Sequence, residues 1–400
     1  MQLGLSAAPV RTQWLGEIQP LPVLVISSVA LLIIGVVMIS SASMDLAVET
    51  MGNGYHYVIR QLMFAVMGCM LALVSVNVPV AWWERSGWLL LGIGLLVLVL
   101  VLTPLGRTVN GSTRWIPFGL FNVQVSEVAK LCLIAYLAGY VVRRRDELLN
   151  TWPGFLKPLV VLGVASALLV IQPDFGATVV LVTAAAGMIF LSGVRLSRFV
   201  PLIAILVVLG VILVLTQPYR LKRVVSYLDP WKDQFDSGYQ LTQSLIAFGR
   251  GDWSGVGLGN SIQKLFFLPE AHTDFIFAII AEEFGLIGSL IVLGLFTVLV
   301  VTGFVIARRA EKADMPFGAC FAYGITLLIG LQAGINMAVS TGLLPTKGLT
   351  LPLVSYGGSS LMISCVCIGI LARVEMERLD KEKQASEKTA PRKRGGARYE

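Results

Sequence analysis

The feature that most constrains this chain is the recurrence of long apolar runs along almost its whole length. Ten runs lie near residues 21–41, 58–77, 87–104, 124–142, 158–172, 175–192, 199–216, 274–306, 317–339 and 351–372. Runs of about 18 or more apolar residues are long enough to cross a bilayer as helices. Lipid offers the backbone no hydrogen-bond partners, and continuous rather than alternating apolar runs favour helices over a barrel. The sequence therefore predicts an all-α, polytopic integral membrane protein with about ten transmembrane helices.

The composition agrees with lipid as the main solvent. Only 14% of the residues are charged and 56% are hydrophobic, whereas soluble domains carry about 25% charged residues. A net charge of +7 would suggest nucleic acid in a soluble protein, but basic cytoplasmic loops explain it here, and we expect no nucleic-acid partner. The five cysteines all lie in apolar runs, so neither a metal cluster nor a disulfide framework is predicted.

Basic residues in the short loops indicate the orientation, because they collect on the cytoplasmic side. With a cytoplasmic N-terminus, ten Lys or Arg residues fall in the cytoplasmic short loops and four in the opposite ones. We therefore predict a cytoplasmic segment 1–20 and a ten-helix domain 21–372 whose large loop, 217–273, is periplasmic. The cytoplasmic tail 373–400 is predicted to be a short helical exit followed by a disordered basic end that contacts anionic membrane lipids.

The external loop 217–273 is too long to be a simple connector. Residues 238–249 predict an amphipathic helix that lies on the outer membrane surface or packs on the protein's own helix ends. The glycine-rich stretch 249–260 contains a G-x-G-x-G pattern, but no strand precedes it. Tight turns or close backbone approach are therefore favoured over nucleotide binding. Residues 265–269 are expected to dip back into the membrane interface.

Three carboxylates lie at or inside the start of the run 274–306. Carboxylates at the mouth of a membrane helix are costly, so they are candidates for function. Asp274 could be a simple N-cap, but its polar neighbour His272 favours a functional role. So does a run of 33 residues, where a bilayer needs roughly 20. Glu282 and Glu283 lie two turns deeper, and we expect them to support Asp274 from behind.

Candidate cationic partners enter the membrane from the same side. Arg60 opens the second run, and Lys130 lies in the fourth, three residues after Glu127. Glu127 and Lys130 share a helix face. They could form a buried structural ion pair, or Lys130 could bind an anionic headgroup at the outer leaflet. Arg107 and Arg114 add positive charge in a neighbouring outer loop.

A second external segment, 340–360, is rich in Gly, Pro and hydroxyl side chains and leads into the last apolar run. Irregular backbone at membrane depth is tolerated only where it is buried or lines a cavity. We therefore expect a cavity open to the outside, with Lys347, Ser355 and the Gly357-Gly358 backbone among its lining groups.

Two sets of motifs, taken together, resemble a known family. The first set is GYQ at 238–240, GLG at 257–259, LPEAHTDFIF at 268–277 and EEFG at 282–285, and the second is PTKGLTLP at 345–352 and SYGGSS at 355–360. These motifs resemble those of the SEDS proteins (shape, elongation, division and sporulation) over residues 20–375. The long N-terminal lead and the basic tail look more like the division branch of that family than like its elongation branch.

The resemblance implies a peptidoglycan glycosyltransferase that polymerises lipid II at the division septum of the bacterial inner membrane. The family's catalytic aspartate falls on Asp274, which would act as general base on the acceptor sugar hydroxyl while undecaprenyl diphosphate leaves. The family's polar helix positions fall on Arg60, Glu127 and Lys130. Inversion at a single sugar is favoured over a retaining scheme with two carboxylates.

The full predicted site follows from the residues and the resemblance together. The expected substrate-binding residues are Arg60, Glu127, Lys130, Lys347, Ser355 and His272. No cofactor is required by the sequence, although a divalent cation, Mg²⁺ or Mn²⁺, could bind at Asp274. The implied partners are a class B penicillin-binding protein transpeptidase, other membrane proteins of the divisome and lipid II itself.

Other functions stay open at this point. A flippase for a lipid-linked precursor would use the same cavity, but it would also need charged residues in the inner half, which is largely apolar. A membrane scaffold that only recruits a synthase would leave Asp274 as a dispensable cap. An elongation-type polymerase would share the chemistry and differ in cellular role.

Overall fold

The computed structural model describes residues 19–389 except 110, 120, 217–220 and 222–224. Its helices are α1 (Pro20–Met51), α2 (His56–Asn77), α3 (Val80–Arg85), α4 (Gly87–Leu100), α5 (Val125–Arg143), α6 (Arg145–Asn150), α7 (Trp152–Ile171), α8 (Phe175–Leu191), α9 (Leu196–Leu215), α10 (Tyr239–Gly251), α11 (Ile276–Lys312), α12 (Pro316–Ser340) and α13 (Gly358–Thr389). Its strands are β1 (Arg107–Val109), β2 (Ser112–Phe118) and β3 (Phe121–Gln124).

Ten of these helices match the ten apolar runs. Seven, namely α1, α2, α5, α7, α11, α12 and α13, are long and apolar enough to cross a membrane, and α4, α8 and α9 are shorter apolar helices. This confirms the prediction of an all-α, polytopic membrane protein. Helices α1 and α11 run beyond their predicted ends because the polar residues that close the apolar pattern continue the helix.

Some predicted segments fall on residues that are not described. These are most of the N-terminal segment 1–20, the start of the large loop and the last part of the tail beyond Thr389. The tail from 373 continues α13 as far as Thr389.

Helix α5 lies at the centre of the bundle, with 89% of its apolar stretch buried. It packs against α4, α8 and α12. Helix α13 packs on α2, and α11 packs on α12, α1 and α10. Most apolar side chains of α9 are exposed, as expected for a helix that faces lipid. Helix α10, the segment that follows it to 275 and the loop 341–357 meet at one end of the bundle, which we name the loop end.

A small antiparallel sheet, which the sequence did not predict, joins α4 to α5. The strands pair in the order β1-β2-β3, with Arg107 opposite Trp115 and Ile116 opposite Val123. Gly111 and Gly119 turn the chain between the strands with φ of 74° and 70°, a conformation that glycine adopts at low cost. The sheet packs against the start of α5 and α13 and so brings Arg107 and Arg114 to the loop end.

The predicted amphipathic helix in the large loop is α10. Its buried face, which includes Leu241, Ser244 and Ala247, packs on α11 and α12. The Ser244 hydroxyl donates to the Ser340 carbonyl oxygen at 2.7 Å. Of the two predicted placements, packing on the protein's own helix ends is therefore present.

The glycine-rich segment after α10 inserts into a break in α11. The break lies at Gly285, whose φ of 65° and ψ of −160° are not helical. The carbonyls of Glu282 and Glu283 accept from the N–H groups of Val256 and Gly257, each at 3.0 Å. The N–H groups of residues 286 and 287 donate to the carbonyls of residues 252 and 253 at 2.9 and 3.2 Å. Four backbone groups that the break would leave unpaired are thus satisfied by the loop.

Candidate functional site

A polar cavity of about 730 Å³ opens at the loop end, where α2, α5, the sheet and the segment 341–357 meet. Its charged lining residues are Arg60, Arg107, Arg114, Lys347, Glu127, Glu270 and Asp274. The fold therefore brings four of the predicted site residues, Arg60, Glu127, Lys347 and Asp274, to one cavity. Four cations and three carboxylates line it, which suits an anionic ligand that also presents a proton to be removed.

Asp274 is held by its backbone and offers its carboxylate to the cavity. Helix α11 begins at Ile276 with Phe275 as the N-cap, so Asp274 precedes the cap position. The Asp274 N–H donates to the Glu270 carbonyl at 3.1 Å, and its own carbonyl accepts from Asn336 at 2.8 Å. The peptide at Asp274 is therefore fixed on both sides.

Gly348 leaves room beside the carboxylate. A Cβ added there would lie 3.2 Å from Asp274 Oδ2 and 3.8 Å from Arg114 Nη1. The carboxylate and the guanidinium thus flank the same backbone position, and a side chain at Gly348 would crowd both. Asp274 and Arg114 therefore both border the Gly348 backbone.

The α7–α8 turn anchors two of the cavity cations. Arg114 on β2 donates from Nε to the Gln172 carbonyl at 3.4 Å and from Nη2 to the Pro173 carbonyl. The Lys347 ammonium lies 5.3 Å from the centroid of the Phe175 ring, within the range of a cation–π contact. These contacts limit the freedom of both side chains before any ligand arrives.

His272 does not line the cavity and instead packs against Tyr356, which does. Its ring lies 5.2 Å from the Tyr57 ring and 5.7 Å from the Tyr356 ring, and its carbonyl accepts from the Tyr356 N–H at 2.9 Å. The Tyr356 side chain is also hydrogen-bonded to Arg60. Burial lowers the pKa of His272, and the nearby Glu270 opposes this with a smaller effect.

Lys130 is fully buried and does not reach the cavity. Its ammonium donates to Glu127 Oε1 at 2.9 Å and to Gln332 Oε1 at 2.6 Å. The buried ion pair that the sequence left open is therefore present, and Glu127 is the member of the pair that also lines the cavity. Turning Glu127 away from Lys130 would break the pair and leave an uncompensated buried charge. Lys130 therefore fixes the orientation of Glu127.

Ser355 is buried inside the second loop. Its hydroxyl accepts from the Leu351 N–H at 2.8 Å, and its carbonyl accepts from Gln61 at 3.4 Å. It therefore closes a turn that supports the cavity, whereas Gly357 and Gly358 line the cavity directly.

Glu282 and Glu283 form a separate buried cluster, which we name the clamp and which consists of Ser41, Arg250, Ser261, Lys264, Glu282 and Glu283. Glu282 accepts from Arg250 at 3.1 Å and from the N–H groups of residues 262 and 263 at 3.0 and 3.2 Å. It also accepts from the Ser261 hydroxyl. One carboxylate thus satisfies four donors of the loop.

Glu283 joins the loop to α1. Its Oε1 accepts from the Ser41 hydroxyl at 2.6 Å and from the Lys264 ammonium at 3.0 Å. Lys264 also donates to Ser41 and to the Gly259 carbonyl. The two glutamates are thus tied to the loop and to α1, and any support for Asp274 runs through the loop backbone.

Lys264 points inward, whereas the apolar side chains that follow it point outward. Leu265, Phe266 and Phe267 are 42%, 53% and 48% exposed, and Lys264 is 8% exposed. This inverted pattern suits the predicted contact of residues 265–269 with the membrane interface, which stays a prediction.

Sequence reasoning missed the polar stripe on α12 and the polar lining from the sheet. Gln332, Asn336 and Ser340 recur every four residues inside an apolar run, and all three are buried. Buried polar groups at helical spacing in a membrane span are a signal that could have identified them. Gln124 on β3 lines the cavity beside Ser359 and donates its N–H to the Ser359 hydroxyl at 3.0 Å.

A divalent cation at Asp274 was left open by the sequence. Within the described part of the chain, no three His, Cys, Asp or Glu side chains lie together as a metal site. Because Mg²⁺ can also be held by one or two carboxylates together with substrate phosphates, the cation at Asp274 stays a prediction, and the steps derived below use none.

Comparisons with known proteins agree with the motifs. Residues 22–380 match a family described as FTSW_RODA_SPOVE, cell cycle protein. The chain is 81% identical over 400 residues, the whole of both chains, to a protein of Marinobacter nauticus named "Probable peptidoglycan glycosyltransferase FtsW". A protein of the same name from Hahella chejuensis is 56% identical over 372 residues, which are 93% of this chain and 94% of that one.

Two solved structures are similar over most of the chain. One is a chain from a study of how a peptidoglycan synthase complex coordinates polymerization and crosslinking, with 27% identity, a TM-score of 0.73 and coverage of 89% of this chain and 97% of that one. The other is the rod shape determining protein RodA of Thermus thermophilus, with 25% identity, a TM-score of 0.63 and coverage of 89% and 96%.

Proposed function

Because this chain belongs to the FtsW/RodA/SpoVE family of cell cycle proteins, we propose that it is a peptidoglycan glycosyltransferase that polymerises lipid II. The single observation that carries the proposal is the cavity in which Asp274 lies among Arg60, Arg114 and Lys347. The names of relatives that match the whole chain support it. The resemblance stated from the motifs, including its division branch, is thereby confirmed.

Asp274 acts as the general base of the transfer. Its carboxylate takes the proton from the acceptor sugar hydroxyl as that oxygen attacks the anomeric carbon of the donor. The bond between that carbon and the diphosphate oxygen breaks, and its electron pair leaves with undecaprenyl diphosphate. A single displacement by one base inverts the configuration at the donor sugar, whereas a retaining scheme needs a second reactive carboxylate.

The cavity cations stabilise the leaving group. Negative charge grows on the diphosphate in the transition state, and fixed cations aimed at it lower the barrier. Arg114 and Lys347 are held by the α7–α8 turn, and Arg60 is held through Tyr356. Glu127, which is paired with Lys130, accepts from sugar hydroxyls, since it is the buried carboxylate of the cavity lining.

The loop end faces the periplasm in this proposal, and both termini are cytoplasmic. The bias of basic residues in the short loops supports this orientation. A lipid-linked sugar in the outer leaflet then meets the cavity directly. The FtsW-like character of the chain supports a role at the division septum among the divisome membrane proteins.

A class B penicillin-binding protein is the proposed partner. Support comes from the similarity to a chain from a synthase complex that couples polymerization with crosslinking. Such a partner would crosslink the strands that this chain polymerises.

The test is polymerisation of labelled lipid II by the purified protein with its penicillin-binding partner. Wild type is compared with Asp274→Ala, and Asp45→Ala provides a matched loss of an exposed carboxylate on α1. We expect polymer from wild type and from Asp45→Ala, and none from Asp274→Ala. Polymer from folded Asp274→Ala at the wild-type rate would contradict the proposed role of Asp274 as the base. Movement of lipid II across vesicles without polymer would instead favour the flippase.

A further inference from the structure

Asn336 on α12 joins the two loops that build the cavity. Its side-chain amide donates to the Asp274 carbonyl at 2.8 Å and to the Leu349 carbonyl at 2.5 Å. Leu349 follows Gly348 and Lys347, so one side chain bridges the peptide of the proposed base and the segment that carries a cavity cation. Asn336 is only 2% exposed, and both of its amide hydrogens are in use.

The neighbours of Asn336 on α12 hold the same loops. One turn earlier, Gln332 accepts from Lys130 and donates to the Thr350 carbonyl at 3.2 Å. One turn later, the Ser340 carbonyl accepts from Ser244 of α10. Polar groups inside an apolar helix are costly unless each finds a partner. Here the amide N–H groups of Gln332 and Asn336 find their partners in the site loops, so this face of α12 serves as their common support.

We propose that Asn336 is a positioning residue for glycosyl transfer, which fixes the Asp274 peptide relative to the Lys347–Leu349 segment. The proposal rests on the proposed function of Asp274. An amide offers two N–H bonds in one plane at a fixed angle, so two carbonyls bound to it keep a fixed separation. Asn336 does not line the cavity, and it acts through the two backbones that it holds.

The expected consequence is a loss of turnover rather than of substrate binding. A general base must lie within about 2.6–3.2 Å of the proton that it takes, and a displacement of about 1 Å can cost roughly 100-fold in rate. The cations that bind the diphosphate keep their other anchors, such as the Phe175 ring under Lys347. The KM for lipid II should therefore change little.

The test replaces Asn336 by leucine, which has the same branching and the same number of side-chain heavy atoms but no donors. Ser340→Ala is the matched control, because Ser340 is also buried on α12 but its hydroxyl bonds only within its own helix. Full-length proteins are assayed with the penicillin-binding partner for kcat and KM with lipid II and for thermal unfolding. We expect Asn336→Leu to lose about 100-fold in kcat with KM near that of wild type, and Ser340→Ala to keep both.

Several outcomes would overturn the proposal. They are a folded Asn336→Leu with wild-type kcat, a change confined to KM, and an equal loss of kcat in Ser340→Ala. If Asn336→Leu does not fold, Asn336→Ser keeps one donor and should give an intermediate kcat, and a wild-type kcat there would contradict the proposal.

Asp274→Ala, assayed in parallel, separates this proposal from the proposed function. If Asp274→Ala keeps wild-type activity, the assignment of Asp274 as the base is wrong, and the positioning role of Asn336 is wrong with it. If Asp274→Ala is inactive and Asn336→Leu is fully active, only the positioning role of Asn336 is contradicted.

Discussion

The cavity and the clamp are two groups of charged side chains around the start of α11, and they differ in the exposure and bonding of their carboxylates. Asp274 is half-buried and opens onto a space of about 730 Å³. Glu282 and Glu283 are 0% exposed, and their carboxylates accept from side chains and backbone of the loop. The first arrangement leaves charge facing a space that a ligand can enter, and the second uses charge to fix the backbone.

The comparison shows why nearby carboxylates in a sequence can differ in role. A buried carboxylate is stable only when donors surround it, because desolvation costs several kcal/mol per ion. In the clamp, Glu282 meets that condition at both oxygens, and Glu283 meets it at Oε1. The cavity instead leaves space beside Asp274 that substrate groups can enter, as the proposed function requires.

The largest difference should appear when the same chemical change is made in both regions. Asp274→Asn should lower polymerisation by about 10²–10⁴-fold, the usual contribution of a general base, with thermal stability near wild type. Glu283→Gln should instead lower the melting temperature and leave turnover per folded molecule largely intact. Both variants are measured for activity and thermal unfolding. The comparison would fail if Asp274→Asn mainly lowered the melting temperature and Glu283→Gln mainly lowered turnover.

The next effect tests the ion pair of the clamp. Lys264→Met leaves Glu283 buried without its cation, and removal of one partner of a buried pair costs about 3–5 kcal/mol. The double variant Lys264→Met/Glu283→Leu removes both charges and should recover most of the lost stability. Equal melting temperatures for the single and double variants would show that the pair does not stabilise the loop.

A smaller effect is expected where the loop enters the break in α11. Gly255 has a φ of +78°, and a Cβ there would lie 2.2 Å from the Glu283 carbonyl oxygen. Gly255→Ala should therefore cost more than the about 1–3 kcal/mol of backbone strain alone. Gly259→Ala is the control, since Gly259 has a φ of +85° but an added Cβ meets no atom within 4 Å. Equal losses of stability in the two variants would argue against a close backbone approach.

The smallest effect is a dependence of stability on pH at His272, which lies in the chain after Lys264 of the clamp and before Asp274 of the cavity. Burial lowers its pKa below the ordinary 6.5, so the unfolded chain takes up a proton before the folded one does. The stability that the neutral ring contributes is present above pH 6.5 and is lost as pH falls through the lowered pKa. His272→Asn should flatten this part of a plot of melting temperature against pH, and an unchanged slope would contradict the assignment.

The spans and the presence of a cavity could be predicted because each rests on local pattern. An apolar run must be helical in lipid, and the irregular segment around Lys347 must line or fill a space. The sheet was missed because β1 and β3 have only three and four residues, although Asn110-Gly111 is a strong hairpin signal.

The pairings of the clamp could not be predicted from local pattern. Lys264 and Glu283 meet only because α11 breaks at Gly285 and admits the loop. Asn336 was missed for a related reason, since its two partners are carbonyls that any residue could supply. A sequence shows side chains, whereas these contacts depend on where the backbone goes.

The insertion of the loop at Gly285 has a mechanical consequence. Residues 252–257 carry part of the hydrogen-bond ladder of α11, so they cannot swing open as a lid without unpairing four backbone groups. They move only with α11, which continues to Lys312 at the opposite end of the bundle. A tilt or rotation imposed on that far end would therefore reach the break at Gly285, and the loop segment that is paired there would move with it.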